Sequence, residues 1–255
     1  MAAVLASATA DPGPPGWHGK LPALGDFVSR RLAPEFITPW DAWLSSGLQA
    51  LRSAKPASWL QAYLESPSWR FLLQPGVLPG ADTLGLTWAG VLMPSVDRVG
   101  RYFPLTLAQA LPSAPVNLRQ LQLLWQRLAM WDDLARDALH DDWTAEQLET
   151  ALHQHHVAQG SLVLALAAMA DADDADAFAA HPLPQRAGQT MPVAGANDAA
   201  QAMTDHLQLH AWHVAQGCSW WQAVPDVGPA RLWLARGLPA TLEPLFNDPM
   251  AADRS

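Results

Sequence analysis

Apolar residues recur at every third or fourth position in several stretches of the chain, which is the period of an amphipathic helix. The clearest stretch, residues 35–52, directly follows Pro34, and proline favours the first turn of a helix. A second, short helix is predicted at residues 58–65, with Ser58 as its N-cap. The first helix presents one apolar face, made by Phe36, Trp40, Trp43, Leu44, Leu48 and Leu51.

Further helices are predicted from their N-terminal caps. Asn117 precedes a periodic segment that extends to about residue 139, and Thr144 with Gln147 forms the capping-box pattern of a helix ending near residue 157. Another helix is expected from residue 197 or 198 to about residue 213, and a short one after Pro239. The apolar run at residues 162–170 is about half the ~20 residues that a membrane span needs, so we assign it to the core.

Compact apolar runs bounded by proline and glycine are typical of β-strands. Such runs occur at residues 69–73, 88–93 and 102–108, and further strands are expected at residues 17–21, 219–223 and 231–235. Together with the helices they predict a single α/β domain over residues 17–255, with a mixed β-sheet between helical layers. Residues 1–16 are predicted to be a flexible tail, and the change of composition at residues 171–197 predicts a mobile loop.

Charge and composition indicate which partners and which cellular compartment to expect. The net charge of −9 repels phosphate backbones, so we do not expect nucleic acid as a partner. Thirteen tryptophans need a large core or a partner to cover them. The single cysteine, Cys218, cannot form an internal disulfide, and the N-terminal stretch lacks the charged segment of a signal peptide. We therefore expect a soluble cytoplasmic protein without membrane insertion.

Familiar enzyme motifs are absent from the sequence, including GxxxxGK[ST], GxGxxG after a strand, GxSxG and HExxH. We therefore predict no catalytic residues and no cofactor. His206, His210 and His213 have the spacing of one helical face, which makes them a weak candidate metal site beside the simpler interpretation as a polar face. The aspartates at residues 171–176 lack the glycine and the final glutamate of a calcium loop, which favours a solvated acidic stretch.

The run at residues 93–104, MPSVDRVGRYFP, carries more chemistry than a turn between strands requires. Arg98 and Arg101 can each bind a carboxylate or phosphate through two hydrogen bonds, and Asp97 can orient one of them. The alternative is an internal Asp–Arg pair that only rigidifies the turn. Ser95 as a nucleophile is a weaker possibility, because no histidine lies near it in sequence.

A second polar cluster lies in residues 17–27, WHGKLPALGDF, where glycines imply tight backbone geometry. Lys20 and Asp26 from this segment would join Ser95, Asp97, Arg98 and Arg101 if the two segments lie together in space. The sequence leaves open whether they do. Together these six residues are the candidate binding site.

The two segments also carry a family resemblance. WHGKLPALGDFVSRRL, WDAWL, SWRFLLQPG and WAGVLMPSVDRVGRYFPLTLA, followed late in the chain by SWWQ and LWLARGLP, closely resemble the TagF (ImpM) family of type VI secretion-associated proteins. The resemblance implies a cytoplasmic α/β protein that controls type VI secretion negatively and post-translationally. It implies a forkhead-associated scaffold protein of the Fha type as partner, and no established catalytic activity.

The function expected from the sequence is therefore regulation through protein–protein binding. The alternative is a small-ligand sensor or enzyme that uses the arginine, aspartate and lysine side chains around one pocket. A third interpretation gives both segments only a structural role, since Gly- and Pro-rich turns often serve geometry alone.

Overall fold

The computed structural model describes residues 11–80, 85–169, 189–193, 217–223 and 230–246. Its centre is one eight-stranded sheet with the strand order β2-β1-β5-β4-β3-β7-β8-β6, and every pairing is antiparallel. The strands are β1 Gly16–Gly19, β2 Val28–Arg30, β3 Trp69–Leu73, β4 Thr87–Met93, β5 Leu105–Leu111, β6 Gln189–Val193, β7 Cys218–Ala223 and β8 Ala230–Arg236.

The helices begin where the sequence places their caps. The Asn117 side chain accepts a hydrogen bond from the Gln120 backbone N–H at 2.9 Å, and Thr144 with Gln147 completes the predicted capping box. Ser58 occupies the expected N-cap position, but its side chain makes no capping hydrogen bond. The helices of the described residues are α1 Pro34–Ala54, α2 Trp59–Leu64, α3 Leu118–His140, α4 Ala145–Gln159, α5 Leu162–Ala168 and α6 Glu243–Phe246.

Alternate residues of each central strand face two separate cores. On β3, Leu72 packs with the core under α3, α4 and α5, whereas Trp69 and Phe71 pack with the core under α1, α2 and α6. Because both faces of the sheet are covered, β3 and β4 are buried along their whole length instead of alternating between buried and exposed residues. The tryptophans supply much of this core: five of the largest fully buried side chains are Trp17, Trp40, Trp131, Trp220 and Trp221.

The predicted α/β class and the helical layers on both faces of the sheet are confirmed. The predicted mixed sheet is wrong in one respect, because all the described pairings are antiparallel. Short connections, such as the turn between β4 and β5, join neighbouring strands without the crossover that a parallel pair requires. The strand predicted at residues 102–108 begins later, at Leu105, since Tyr102 forms an isolated bridge with Val96 inside the turn.

Two predictions about irregular segments also need correction. Residues 189–193 of the expected loop 171–197 form β6, which pairs with β8. The end of the expected tail is held in place, because Gln109 donates to the Gly13 carbonyl at 2.9 Å and Arg31 to the Pro15 carbonyl at 2.9 Å. Residues 1–10, the rest of the segment 171–197 and the helix expected at residues 198–213 lie outside the described residues.

None of the described helices combines the length and the apolar character needed to cross a lipid bilayer. The apolar run at residues 162–168 instead forms α5, whose Leu162, Val163 and Leu166 are buried in the core.

The central strand β4 contains a position that only glycine fits. A Cβ atom at Gly90 would lie 2.2 Å from the Leu107 carbonyl oxygen and 2.5 Å from Phe71 Cζ. We expect Gly90→Ala to lower the free energy of unfolding by about 3 kcal/mol, because the clash involves backbone that cannot move away. Urea unfolding followed by circular dichroism measures this loss. Gly25→Ala is the matched control, since the nearest atom to its new Cβ lies 3.9 Å away; equal stability of the two variants would contradict the prediction.

Candidate functional site

The two polar segments singled out in the sequence lie together in space. β1 pairs with β5, with His18 opposite Thr106, so the chain that leaves β1 runs beside the chain that enters β5. The Arg98 backbone N–H donates to the Leu24 carbonyl at 2.9 Å and ties the two loops directly. Gly19 permits this approach, because its φ is +137° and a Cβ atom there would lie 2.2 Å from the Pro104 carbonyl oxygen.

A buried ion pair joins the two loops. Lys20 Nζ lies 2.6 Å from Asp97 Oδ2, and both side chains are shielded from solvent. The Lys20 ammonium also lies 4.2 Å from the centroid of the Phe27 ring, a cation–π contact. Removing either charge of such a buried pair destabilises the fold, because the remaining charge is left buried without a partner.

The Asp97 carboxylate organises the turn between β4 and β5. Its Oδ1 accepts the backbone N–H groups of Val99 at 3.0 Å and Arg101 at 2.9 Å, and its Oδ2 accepts Arg101 Nε at 2.7 Å in addition to Lys20. Burial by itself would raise the pKa of Asp97. The hydrogen bonds from Lys20, Arg101 and Val99 outweigh burial and hold that pKa well below its usual range.

Ser95 is held by hydrogen bonds to its neighbours on both sides. Its hydroxyl donates to the Lys20 carbonyl at 2.8 Å. The Tyr63 hydroxyl donates to the Ser95 carbonyl and accepts from the Ser95 N–H, each at 2.9 Å, and burial raises the pKa of Tyr63. These contacts give Ser95 a bridging role between the loops and α2. The sequence analysis missed Tyr63, because nothing in the sequence relates α2 to the turn.

The solvent side of the site, which we call the rim, consists of Asp26, Phe27, Arg98, Val99 and Arg101. The Phe27 side chain is 44% exposed and that of Val99 63% exposed. Among the described residues, the Arg98 guanidinium has no hydrogen-bond or ion-pair partner. Arg101 is half exposed; it reaches Asp97 and the Gly25 carbonyl, and lies 4.0 Å from the exposed Asp26 carboxylate.

The candidate residues therefore separate into two groups. Lys20, Ser95 and Asp97 are buried and bonded to one another, as the structural interpretation expects. Asp26 and Arg98 face solvent, as a binding role requires, and Arg101 belongs to both groups. The internal Asp–Arg pair that the sequence suggested is present between Asp97 and Arg101. Asp97 also pairs with Lys20, and in that pair both side chains are buried.

The described residues contain no group of three histidine, cysteine or acidic side chains placed to hold a metal ion. The weak metal candidates His206, His210 and His213, and the acidic stretch at residues 171–176, lie outside the described residues. Cys218 is buried, and burial raises the pKa of its thiol, as expected for an unreactive cysteine.

The fold places the chain in a class of α/β proteins that includes a solved bacterial structure. The crystal structure of PA0076 from Pseudomonas aeruginosa PAO1 is 32% identical, covers 91% of each chain and superposes with a TM-score of 0.57. Residues 16–155 match the TagF N-terminal domain, described as type VI secretion system-associated. The chain belongs to this TagF family of type VI secretion-associated proteins. No curated protein matches the chain.

The depressed pKa of Asp97 makes a prediction about acid stability. A carboxyl whose pKa is lower in the folded protein stabilises the fold above its unfolded pKa of about 3.9, and this stabilisation is lost as the pH falls toward the folded pKa. We expect Asp97→Asn to lower the free energy of unfolding by a constant amount above about pH 5, and by progressively less below about pH 4.

Urea unfolding of both proteins across this pH range measures the difference. Asp26→Asn is the matched control, because the Asp26 carboxylate is exposed and its nearest cation is 4.0 Å away. A difference for Asp97→Asn that stays constant down to pH 2 would show that the charge of Asp97 does not stabilise the fold.

Proposed function

We propose that this protein is a cytoplasmic, post-translational negative regulator of type VI secretion that acts by binding another protein, without catalysis. The observation that carries the proposal is the exposed Arg98 guanidinium, which has no partner among the described residues and lies on a turn whose backbone is fixed by the buried Lys20–Asp97 pair. The Arg98 side chain is not needed to connect the two loops, because it faces solvent and the hydrogen bond to the Leu24 carbonyl is made by the Arg98 backbone N–H.

The composition of the rim supports a protein partner. Arginine and aromatic side chains are enriched where proteins meet, and an exposed apolar group beside them gains from being covered. Phe27 and Val99 supply the apolar area, and Arg98 and Arg101 supply donors for carboxylates or carbonyl oxygens. A rim of this chemistry suits a complementary surface that carries acidic and apolar groups.

The family supports a component of the type VI secretion system as the partner. The matched domain is described as associated with that system. We propose that the partner within this secretion system is a forkhead-associated scaffold protein of the Fha type. Binding by this chain would keep that scaffold protein inactive.

A small-ligand sensor or enzyme has less support from the geometry. The polar atoms of Lys20, Ser95 and Asp97 already bond to one another, so a ligand would have to displace a buried ion pair to reach them. A thermal-shift screen of phosphorylated metabolites separates the two functions. A ligand at a hundredfold excess over its dissociation constant adds about 2.7 kcal/mol of stability.

Removing the free side chains of the rim tests the proposed function. We expect Arg98→Ala/Val99→Ser to weaken binding to the purified Fha-type protein by about tenfold or more, because it removes an arginine and its apolar neighbour from the contact. Isothermal titration calorimetry measures the affinity, and secretion of a type VI effector in the bacterium measures the loss of repression.

Arg119→Ala/Val157→Ser is the matched control, because it removes an exposed arginine and an exposed valine from helices away from the rim. Thermal unfolding checks that both variants fold. If the rim variant is as stable as the control and still binds and represses like the unmodified protein, the proposed contact is wrong.

A further inference from the structure

A groove of about 380 Å³ lies beside the turn, between the C-terminal half of α1 and the start of α2. Leu48 and Phe103 are its buried lining residues. Arg52, Trp59 and Tyr102 contribute a cation and two aromatic rings, and the remaining contacts come from serine hydroxyls and a glutamine amide of α1. This volume falls in the range of binding sites, roughly 300–1,000 Å³.

Arg52 is the only charged residue among the described residues that line the groove. Its guanidinium carbon lies 4.7 Å from the centroid of the Trp59 ring, in a cation–π contact, and Trp59 packs edge-on against Tyr102 at 5.7 Å. Stacking holds the guanidinium plane while its N–H edges remain able to donate. Among the described residues no carboxylate or hydrogen-bond acceptor pairs with Arg52.

We propose that this groove binds an acidic segment of a partner protein, with a carboxylate paired to Arg52 through two hydrogen bonds. The charge favours such an occupant, since Arg52 has no carboxylate partner among the residues that the structure describes, although the chain has a net charge of −9. The hydroxyl and amide groups of α1 can bond the backbone of an extended segment, while Leu48 and Phe103 accept an apolar side chain.

The groove adjoins the rim through the backbone of the turn. Tyr102 bridges to Val96, and the Phe103 N–H donates to the Ser95 carbonyl at 3.1 Å. Residues 101–103 thus contribute Arg101 to the rim and Tyr102 and Phe103 to the groove. The inference rests on the proposed function for its occupant, a protein segment, and adds a second contact with its own chemistry.

A simpler role for Arg52 is to stabilise the C-terminus of α1, where a cation interacts favourably with the helix dipole. Lysine fulfils that role equally well. Lysine cannot stack its head group on Trp59 in the same way or form the paired hydrogen bonds to a carboxylate. Arg52→Lys therefore separates the two roles.

The test titrates the full chain with a short capped peptide of alternating glutamate and aspartate, and with the same peptide carrying glutamine and asparagine. NMR signals of the Trp59 indole N–H and of the Arg52 Nε–H report binding at the groove. We expect the acidic peptide alone to shift these signals to saturation. We expect Arg52→Lys to weaken its binding by about tenfold or more, as loss of a charge-assisted, bidentate contact predicts.

Arg119→Lys serves as the control that should bind the peptide like the unmodified protein, since Arg119 is an exposed arginine on α3 that does not line the groove. Equal binding of the amide peptide, or unchanged binding by Arg52→Lys, would overturn the proposal. A response to inorganic phosphate without one to the acidic peptide would also overturn it, since the site would then take a small anion. If the peptide does not bind while the Fha-type protein still requires Arg98, the groove is refuted and the proposed function stands.

Discussion

The buried contact between Lys20 and Asp97 is the interaction on which the rest of the site depends. It joins residues 77 positions apart in sequence and fixes the loop after β1 against the turn before β5. The same carboxylate accepts two backbone N–H groups and the Arg101 side chain, so one anion sets the shape of the turn. A buried aspartate with four donors is well satisfied, whereas losing any one donor leaves part of its desolvation uncompensated.

The antiparallel sheet brings the loops to this contact. Because β1 and β5 pair antiparallel, the loop after β1 and the turn before β5 lie at the same end of these two strands. The aromatic core under α1 covers the opposite side of the turn, where Tyr63 bonds the backbone of Ser95. The turn is therefore supported from two directions, and its remaining side faces solvent.

Most of the helices and strands could be predicted from the sequence, because caps and apolar periods are local signals. Asn117, Thr144 and Pro34 mark helix starts that the structure reproduces. Non-local facts could not be predicted. No local pattern shows that Lys20 is the partner of Asp97, that Tyr63 reaches Ser95, or that Arg52 stacks on Trp59. For the candidate site residues, the sequence could not distinguish buried, mutually bonded side chains from exposed ones, since burial depends on the assembled sheet.

The hydrogen bonds around Asp97 have a further consequence for recognition. The N–H groups of Asp97, Arg98, Gly100 and Arg101 all have partners inside the protein. Whatever docks on this turn meets a preorganised backbone, so association restricts little beyond side-chain rotamers. The side chains of Arg98 and Val99 take no part in these bonds, which use only backbone groups and the Asp97 carboxylate. Changing those two side chains therefore alters the exposed chemistry of the turn while the scaffold beneath them stays the same.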